Sequence, residues 1–201
     1  MQTREQILFT ALELFSKKGY DAVSTSAIAG ELGLTKGALY RHFPNKEAIF
    51  ESILRRMEYN DAENAAAYDM PAQSKSVSAE GYAQASLDDL ISYSLYQFRY
   101  WTTDGFACPF RRLLTLEQYG SDRMAKLFSQ YITGGPIAYL EDIFAEIAEG
   151  DARLNAVQFY APMLAGYALF DNGESFEELQ DLLGAHFASF SKNISLKRTE
   201  N

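Results

Sequence analysis

The sequence predicts an all-α fold of about nine helices, with a three-helix helix-turn-helix head followed by a helical ligand-binding and dimerisation body. Three observations predict the helical class. Apolar residues recur at helical spacing through most of the 201 residues. Capping and stop residues bracket each of these patterns. No strand-period alternation lasts more than a few residues, and no internal repeat or low-complexity tract interrupts the chain.

The first helix rests on Ile7, Ala11, Leu14 and Phe15, which form one apolar stripe; Thr3 with Gln6 is a capping box and Gly19 a stop. Ser24 caps a second, short helix carrying Ile28 and Leu32, with Gly33 just past its end. Thr35 caps a third, in which Leu39 and Phe43 share a face and which Pro44 closes. Asn45 opens a long fourth helix with Ile49, Phe50, Ile53, Leu54 and Met57 inward.

Residues 69–79 are small and polar and form the main loop candidate. A fifth helix is expected over 80–103, ending at Asp104-Gly105. A sixth holds Pro109 in its first turn and runs to Tyr119 and Gly120. Ser121 caps a seventh that reaches Glu149 and is kinked or broken at Gly134-Gly135-Pro136. The eighth covers about 152–171 with a bend at Pro162, and the ninth opens on the Ser175/Glu178 capping box and ends near Lys192. The tail from Asn193 is expected to fray.

Charge divides the chain. The total is 18 Lys plus Arg against 27 Asp plus Glu, a net charge of -9, which excludes a general basic coat for nucleic acid. Residues 1–56 nevertheless hold eight cations and six anions, leaving ten cations and 21 anions for the remainder. Such asymmetry points to two jobs in one chain. One cysteine and two histidines are too few for a zinc site, so no metal and no cofactor are expected. No apolar run approaches the roughly 18 residues that span a bilayer. Together with free Cys108, this points to a cytoplasmic protein with no membrane partner.

Two short helices separated by Gly33-Leu34-Thr35 have the spacing of a helix-turn-helix, whose second helix enters the major groove. With Leu39 and Phe43 inward, Lys36, Gly37, Ala38, Tyr40 and Arg41 remain outward. A helix N-terminus offers amides to phosphate, small residues permit close approach, and Lys36 and Arg41 can reach base edges. Tyr40, His42 and Lys46 fall where flanking phosphates would pass.

The residues Ala11-Leu-Glu-Leu-Phe15, Gly19-Tyr20, Ile28-Ala29, Gly33 to Phe43 and Lys46-Glu47 resemble the DNA-binding head of the tetracycline-repressor (TetR) family. The resemblance implies that Ser24 and Ser26 contact the DNA backbone and that Thr35, Lys36, Gly37, Ala38, Tyr40, Arg41 and His42 line the DNA face, with Lys46 on phosphate. Position 38 is Ala where the family often has Thr or Ser, which removes a hydroxyl contact but leaves a methyl to meet thymine. It implies further a head over 1–46 and, over 47–201, a domain that binds a small-molecule effector and dimerises.

The second domain carries material for both. Tyr93, Tyr96, Tyr100, Phe110 and Tyr131 are the candidate pocket wall, because tyrosine joins an apolar body to a polar tip. Arg99, Arg111, Arg112 and Glu117 either set a charge in that cavity or pair with one another. Ala161, Ala165 and Ala168 allow close helix packing, and with Leu179, Leu183, His186 and Phe187 they form the candidate homodimer interface.

The leading reading is a sequence-specific transcriptional regulator, a repressor released from a palindromic double-stranded DNA operator by a small molecule. The alternative is a helical small-molecule-binding or protein-interaction module whose head does not read DNA. An enzyme is not expected. There is no Gly-rich phosphate loop, the two histidines fall on the head and the dimer face, and adjacent pairs such as Asp88-Asp89 point about 100° apart on a helix.

Overall fold

The computed structural model describes residues 3–67 and 86–197. Among them run ten helices: α1 Thr3–Lys18, α2 Thr25–Glu31, α3 Lys36–His42, α4 Lys46–Ala67, α5 Leu87–Thr103, α6 Ala107–Glu117, α7 Asp122–Ile132, α8 Gly134–Ile147, α9 Ala152–Asp171 and α10 Phe176–Asn193. The all-α fold is as expected. The tenth helix arises at Gly134-Gly135-Pro136, where the expected seventh helix is broken rather than kinked. Residues 80–85 of the expected fifth helix and the 69–79 loop candidate lie outside the described residues.

The break has a steric cause. A Cβ on Gly135 would lie 2.0 Å from the Gln130 carbonyl oxygen of α7, so only glycine permits the α8 backbone to start this close. Pro136 then supplies no backbone N–H, which is harmless in a first helical turn.

The chain forms two compact units. The first comprises residues 1–61 and 105–128. Here α1 packs on α2 and α6, with Ile7, Ala11, Leu12 and Phe15 meeting a core that includes Ile28, Leu39, Phe43, Ile49, Phe50, Phe110 and Leu113, each at most 1% exposed. Leu14 and Leu32, expected in the core, are half-buried. Phe106 meets Phe9 edge to face at 5.1 Å, and the Arg56 guanidinium lies over both rings at 4.4 and 4.8 Å. The expected head of residues 1–46 is therefore part of a larger packed body whose wall includes α6.

The second unit comprises residues 62–104 and 129–201. In it α9 packs on α8, α10 and α5. Phe144, Phe159, Phe187 and Phe190 form its aromatic centre, with ring centroids 4.6–5.7 Å apart. α9 continues through Pro162. The C-terminal tail is not frayed where it is described. The Glu149 amide donates to the Ser195 carbonyl at 2.8 Å and the Lys197 amide to the Ile147 carbonyl at 2.9 Å, and Ala148 and Leu196 form an isolated antiparallel bridge. These backbone bonds tie the tail to the end of α8.

Candidate nucleic-acid interface

The turn between α2 and α3 is set by backbone geometry. Gly33 takes φ +64° with open space around its missing Cβ, so its left-handed conformation is what the position requires. The Leu34 amide reaches back to the Ala29 carbonyl at 2.8 Å and closes the end of α2. Both helices then start on side-chain caps: Ser24 Oγ accepts from the Ala27 amide and Thr35 Oγ1 from the Ala38 amide, each at 3.1 Å. Such caps contribute about 1 kcal/mol each. Because the oxygen acts as acceptor in the cap, the hydroxyl proton of each residue is not used by that bond and can be donated to a phosphate oxygen.

On α3, Leu39 is buried and Phe43, its C-cap, is 1% exposed. Lys36, Gly37, Arg41 and His42 are exposed and Ala38 half-buried. Tyr40, 40% exposed, joins the two helices: its hydroxyl lies 3.2 Å from Thr25 Oγ1, and Lys36 Nζ sits 5.6 Å from its ring centroid. The Thr25 hydrogen bond, with the Lys36 charge behind it, outweighs desolvation and holds the Tyr40 phenol below its ordinary range. Ser24, Ser26 and Thr35 are exposed as well, so the expected DNA-facing residues of α2 and α3 form one solvent-facing set.

Lys46 is placed differently. Its ammonium donates to the Tyr20 carbonyl at 2.7 Å and stands 4.2 Å from the Tyr20 ring centroid, so it closes the loop after α1 onto α4. Tyr20 also donates its hydroxyl to Glu47 at 2.8 Å, and Arg123 at the start of α7 bonds both Glu47 and Glu51. Burial first, then the Glu47 hydrogen bond and charge, push the Tyr20 phenol well above its ordinary value. Sequence reasoning missed this clamp, and Thr25 with it. A pairing of residues 76 positions apart, as in Arg123 with Glu47, leaves no local pattern to read.

The candidate pocket residues fall in both units. Phe110 is fully buried in the first unit. Tyr93, Tyr96, Tyr100 and Tyr131 lie in the second, where Tyr96 and Tyr100 stack at 6.3 Å, Trp101 meets Tyr100 edge to face at 5.8 Å, and Tyr131 lies 6.4 Å from Trp101. Tyr96 donates to Asn64 Oδ1 at 2.6 Å. Of the charged candidates, Arg111 is 1% exposed, Arg99 bonds Gln180 Oε1 at 3.2 Å and covers Phe176, and Glu117 accepts from the Tyr20 amide at 2.8 Å.

The candidate dimer residues separate too. Ala161, Ala165 and Ala168 are exposed and His186 is half-buried. Leu179, Leu183 and Phe187 are each 1% exposed and belong to the core of their own unit, so they are not available to a second copy. They answer the hydrophobic stripe of α10 that faces α9 and α5. The outward apolar residues are instead Leu154, Val157 and Leu182, at 53, 38 and 57% exposure.

The exposed α3, held by a tight turn over residues 32–35 across a capped α2, defines the protein as a helix-turn-helix protein. Residues 7–53 match the family described as "Bacterial regulatory proteins, tetR family". The HTH-type transcriptional regulator AcrR of Shigella flexneri is 42% identical over 62 residues, which is 31% of this chain and 29% of that protein. The chain spans about a third or less of the length of the curated relatives it matches. Two solved structures share the fold over nearly the whole chain. The complex of SmeT with triclosan, SmeT being the repressor of a Stenotrophomonas maltophilia efflux pump, aligns with a TM-score of 0.62 at 19% identity, covering 97% of this chain and 92% of that one. A Saccharomonospora viridis structure described as a transcriptional regulator in complex with choline aligns at 0.60 and 19%, covering 97% and 98%. Residues 7–53 thus match the DNA-binding head of the TetR family, and the rest of the chain shares the fold of these solved structures. Among the described residues no helix is long and apolar enough to cross a membrane.

Proposed function

We propose that the chain is a homodimeric repressor that reads a palindromic operator with α3 and is released by a small-molecule effector bound in its second domain. The observation that carries this reading is the outward set on α3. Lys36, Gly37, Arg41, His42 and Tyr40 face solvent while Leu39 and Phe43 anchor the helix from behind. An ordinary surface helix needs no two glycine and alanine positions beside two cations, whereas a helix entering the major groove uses both. In this reading residues 1–46 read DNA, and 47–201 bind effector and dimerise.

Dimerisation rests on the outward stripe of α9, formed by Leu154, Val157, Ala161, Ala165 and Ala168, with Leu182 of α10 beside it. These positions recur at helical spacing and use residues that the core does not. A two-fold axis through them would place two copies of α3 for half-sites about one helical turn apart. Effector binding that alters the set of α4, the helix that follows α3 in the chain and that Lys46 ties to the loop after α1, would then weaken operator affinity about 5- to 150-fold, the usual range of allosteric coupling. Two solved neighbours carry small molecules, triclosan in one and choline in the other, which supports an effector site in this chain.

The testing experiment uses fluorescence anisotropy with labelled duplexes that tile the DNA flanking the gene. The reading requires one duplex to bind far more tightly than the rest, and the doubly substituted Lys36→Ala, Tyr40→Ala protein to lose that preference. Equal, weak binding to all duplexes would leave only a helical binding module.

A further inference from the structure

A cleft of about 430 Å³ opens on the first unit between the start of α1 and the middle of α4. That size falls within the roughly 300–1,000 Å³ of small-molecule sites. Its cations are unevenly neutralised. Arg56 is bonded at 2.5 Å to Glu5, the carboxylate of the lining, and is held over the Phe9 and Phe106 rings. Arg55 donates to the Ser52 hydroxyl at 2.8 Å and Arg4 meets the face of the Phe43 ring at 4.8 Å, but among the described residues neither guanidinium is paired with a carboxylate. In a chain where 27 acids outnumber 18 cations, two arginines left unpaired around one small concavity mark it as a place for an anion. Leu8, 5% exposed, supplies an apolar floor. Tyr59, 64% exposed, stands at the rim with no ring against it among the described residues.

We propose that this cleft is an anion site that takes a phosphate monoester bearing a flat, unsaturated ring. It is separate from the tyrosines of the second unit and does not rest on their binding an effector. A monoester carries a charge of about -1.5 to -2 at pH 7, which the two unpaired guanidinium groups match. Their planar forks each offer two parallel N–H donors to phosphate oxygens. A monocarboxylate would leave one of the two without a counter-charge. Tyr59 gives the ligand's ring a stacking face. Bound there, the phosphate ties the start of α1 to α4 within the unit that carries α3. The α4 part of the cleft, Ser52 to Tyr59, lies about 9–20 Å along the helix from Lys46, and a concavity so far from the start of α4 suits a small molecule better than the backbone of a duplex.

The test is isothermal titration calorimetry of the full-length protein, without DNA, against phenyl phosphate, inorganic phosphate, benzoate and benzylamine. Phenyl phosphate should bind most tightly, and its affinity should fall as salt is raised. Arg4→Gln and Arg55→Gln should each weaken it about 10-fold or more, the usual worth of a hydrogen bond to a charged group. Their urea midpoints should stay near the parent's, because neither side chain holds a carboxylate. Tyr59→Ala should weaken phenyl phosphate and leave inorganic phosphate unchanged. Any of the other three probes binding as tightly as phenyl phosphate overturns the proposal. So does an absence of saturable heat up to about 10 mM, or glutamine variants that bind phenyl phosphate as the parent does. If Arg55→Gln instead leaves these titrations unchanged and makes the salt slope of duplex affinity shallower, the cleft follows the DNA backbone and the small-molecule site is equally overturned.

Discussion

Tyr20 donates its hydroxyl proton to the Glu47 carboxylate at 2.8 Å while its ring lies between Phe15 at 5.1 Å and Phe50 at 5.2 Å. One side chain thus joins the loop after α1, the core of the first unit and the first turn of α4. Tyr20→Phe keeps the ring contacts and removes only the hydrogen bond. Such an exposed bond contributes about 0.5–1.5 kcal/mol. Urea denaturation should show a loss in that range, and a loss above about 3 kcal/mol would mean that the clamp carries more than this bond.

Lys46 is expected to act on stability more than on the salt dependence of DNA binding. Its ammonium is already bonded to the Tyr20 carbonyl at 2.7 Å. If only Lys36 and Arg41 of each copy neutralise phosphates, four contacts give a slope of log affinity against log salt of about -4; adding Lys46 from both copies makes it about -5. Lys46→Ala should therefore leave the slope near -4 while lowering the urea midpoint. A slope near -5 in the parent that becomes about -4 in that variant would place Lys46 on phosphate after all.

Gly135→Ala should be among the most damaging single-methyl additions in the second unit. The new Cβ would sit 2.0 Å from the Gln130 carbonyl oxygen, a backbone atom that cannot swing aside. Either α8 starts later or the protein loses more than about 3 kcal/mol, the range of severe overpacking. Thermal melting by circular dichroism distinguishes this from a tolerated change, which would leave the midpoint within about 2 °C, about 0.5–1 kcal/mol for a chain of this size.

The outward and inward faces of α9 and α10 should respond oppositely to charge. Leu182→Glu and Val157→Glu place a carboxylate on positions 57 and 38% exposed, whereas Leu179→Glu buries one at a position 1% exposed. The first two should yield folded monomers in analytical ultracentrifugation and the third an unfolded chain, because an unpaired buried charge is strongly destabilising. A dimer that survives both outward substitutions would remove the proposed interface.

Much of this was legible in the sequence because local chemistry determined it. Ser24, Thr35, Asn45, Ser121 and Ser175 each cap a helix through their own side chains, and a cap is readable from a single position and its neighbours. The outward set on α3 followed from the positions of Leu39 and Phe43 alone. What was not legible depends on which of several apolar stripes meets which partner. The pattern of α10 shows that Leu179, Leu183 and Phe187 share a face but not that α9 and α5 cover it, so core and interface looked alike. The tail was misjudged for a similar reason: its bonds go to the backbone of residues 147–149, and backbone partners leave no trace in side-chain identity.

Asp61 should give the protein a stability that falls as pH rises. The residue is half-buried, but its Oδ1 is shut away from solvent without a partner, and burial, then the Glu58 charge, raise its pKa from 3.8 to about 7. The unfolded chain ionises Asp61 near pH 4, whereas the folded chain holds the proton until near pH 7. The associated stability is therefore complete below about pH 4, declines between there and about pH 7, and is gone above it. Three pKa units set a ceiling of about 4 kcal/mol, and the residue's partial access to solvent lowers the expected change to about 1–3 kcal/mol. Urea unfolding of the parent and of Asp61→Asn from pH 4 to 8 isolates this group from the other carboxylates. The two proteins should differ little at pH 4, with the variant more stable by the expected amount at pH 8. A difference that stays constant across the series would mean that Asp61 is ionised in the folded protein throughout, and that its carboxylate is solvated despite the buried oxygen.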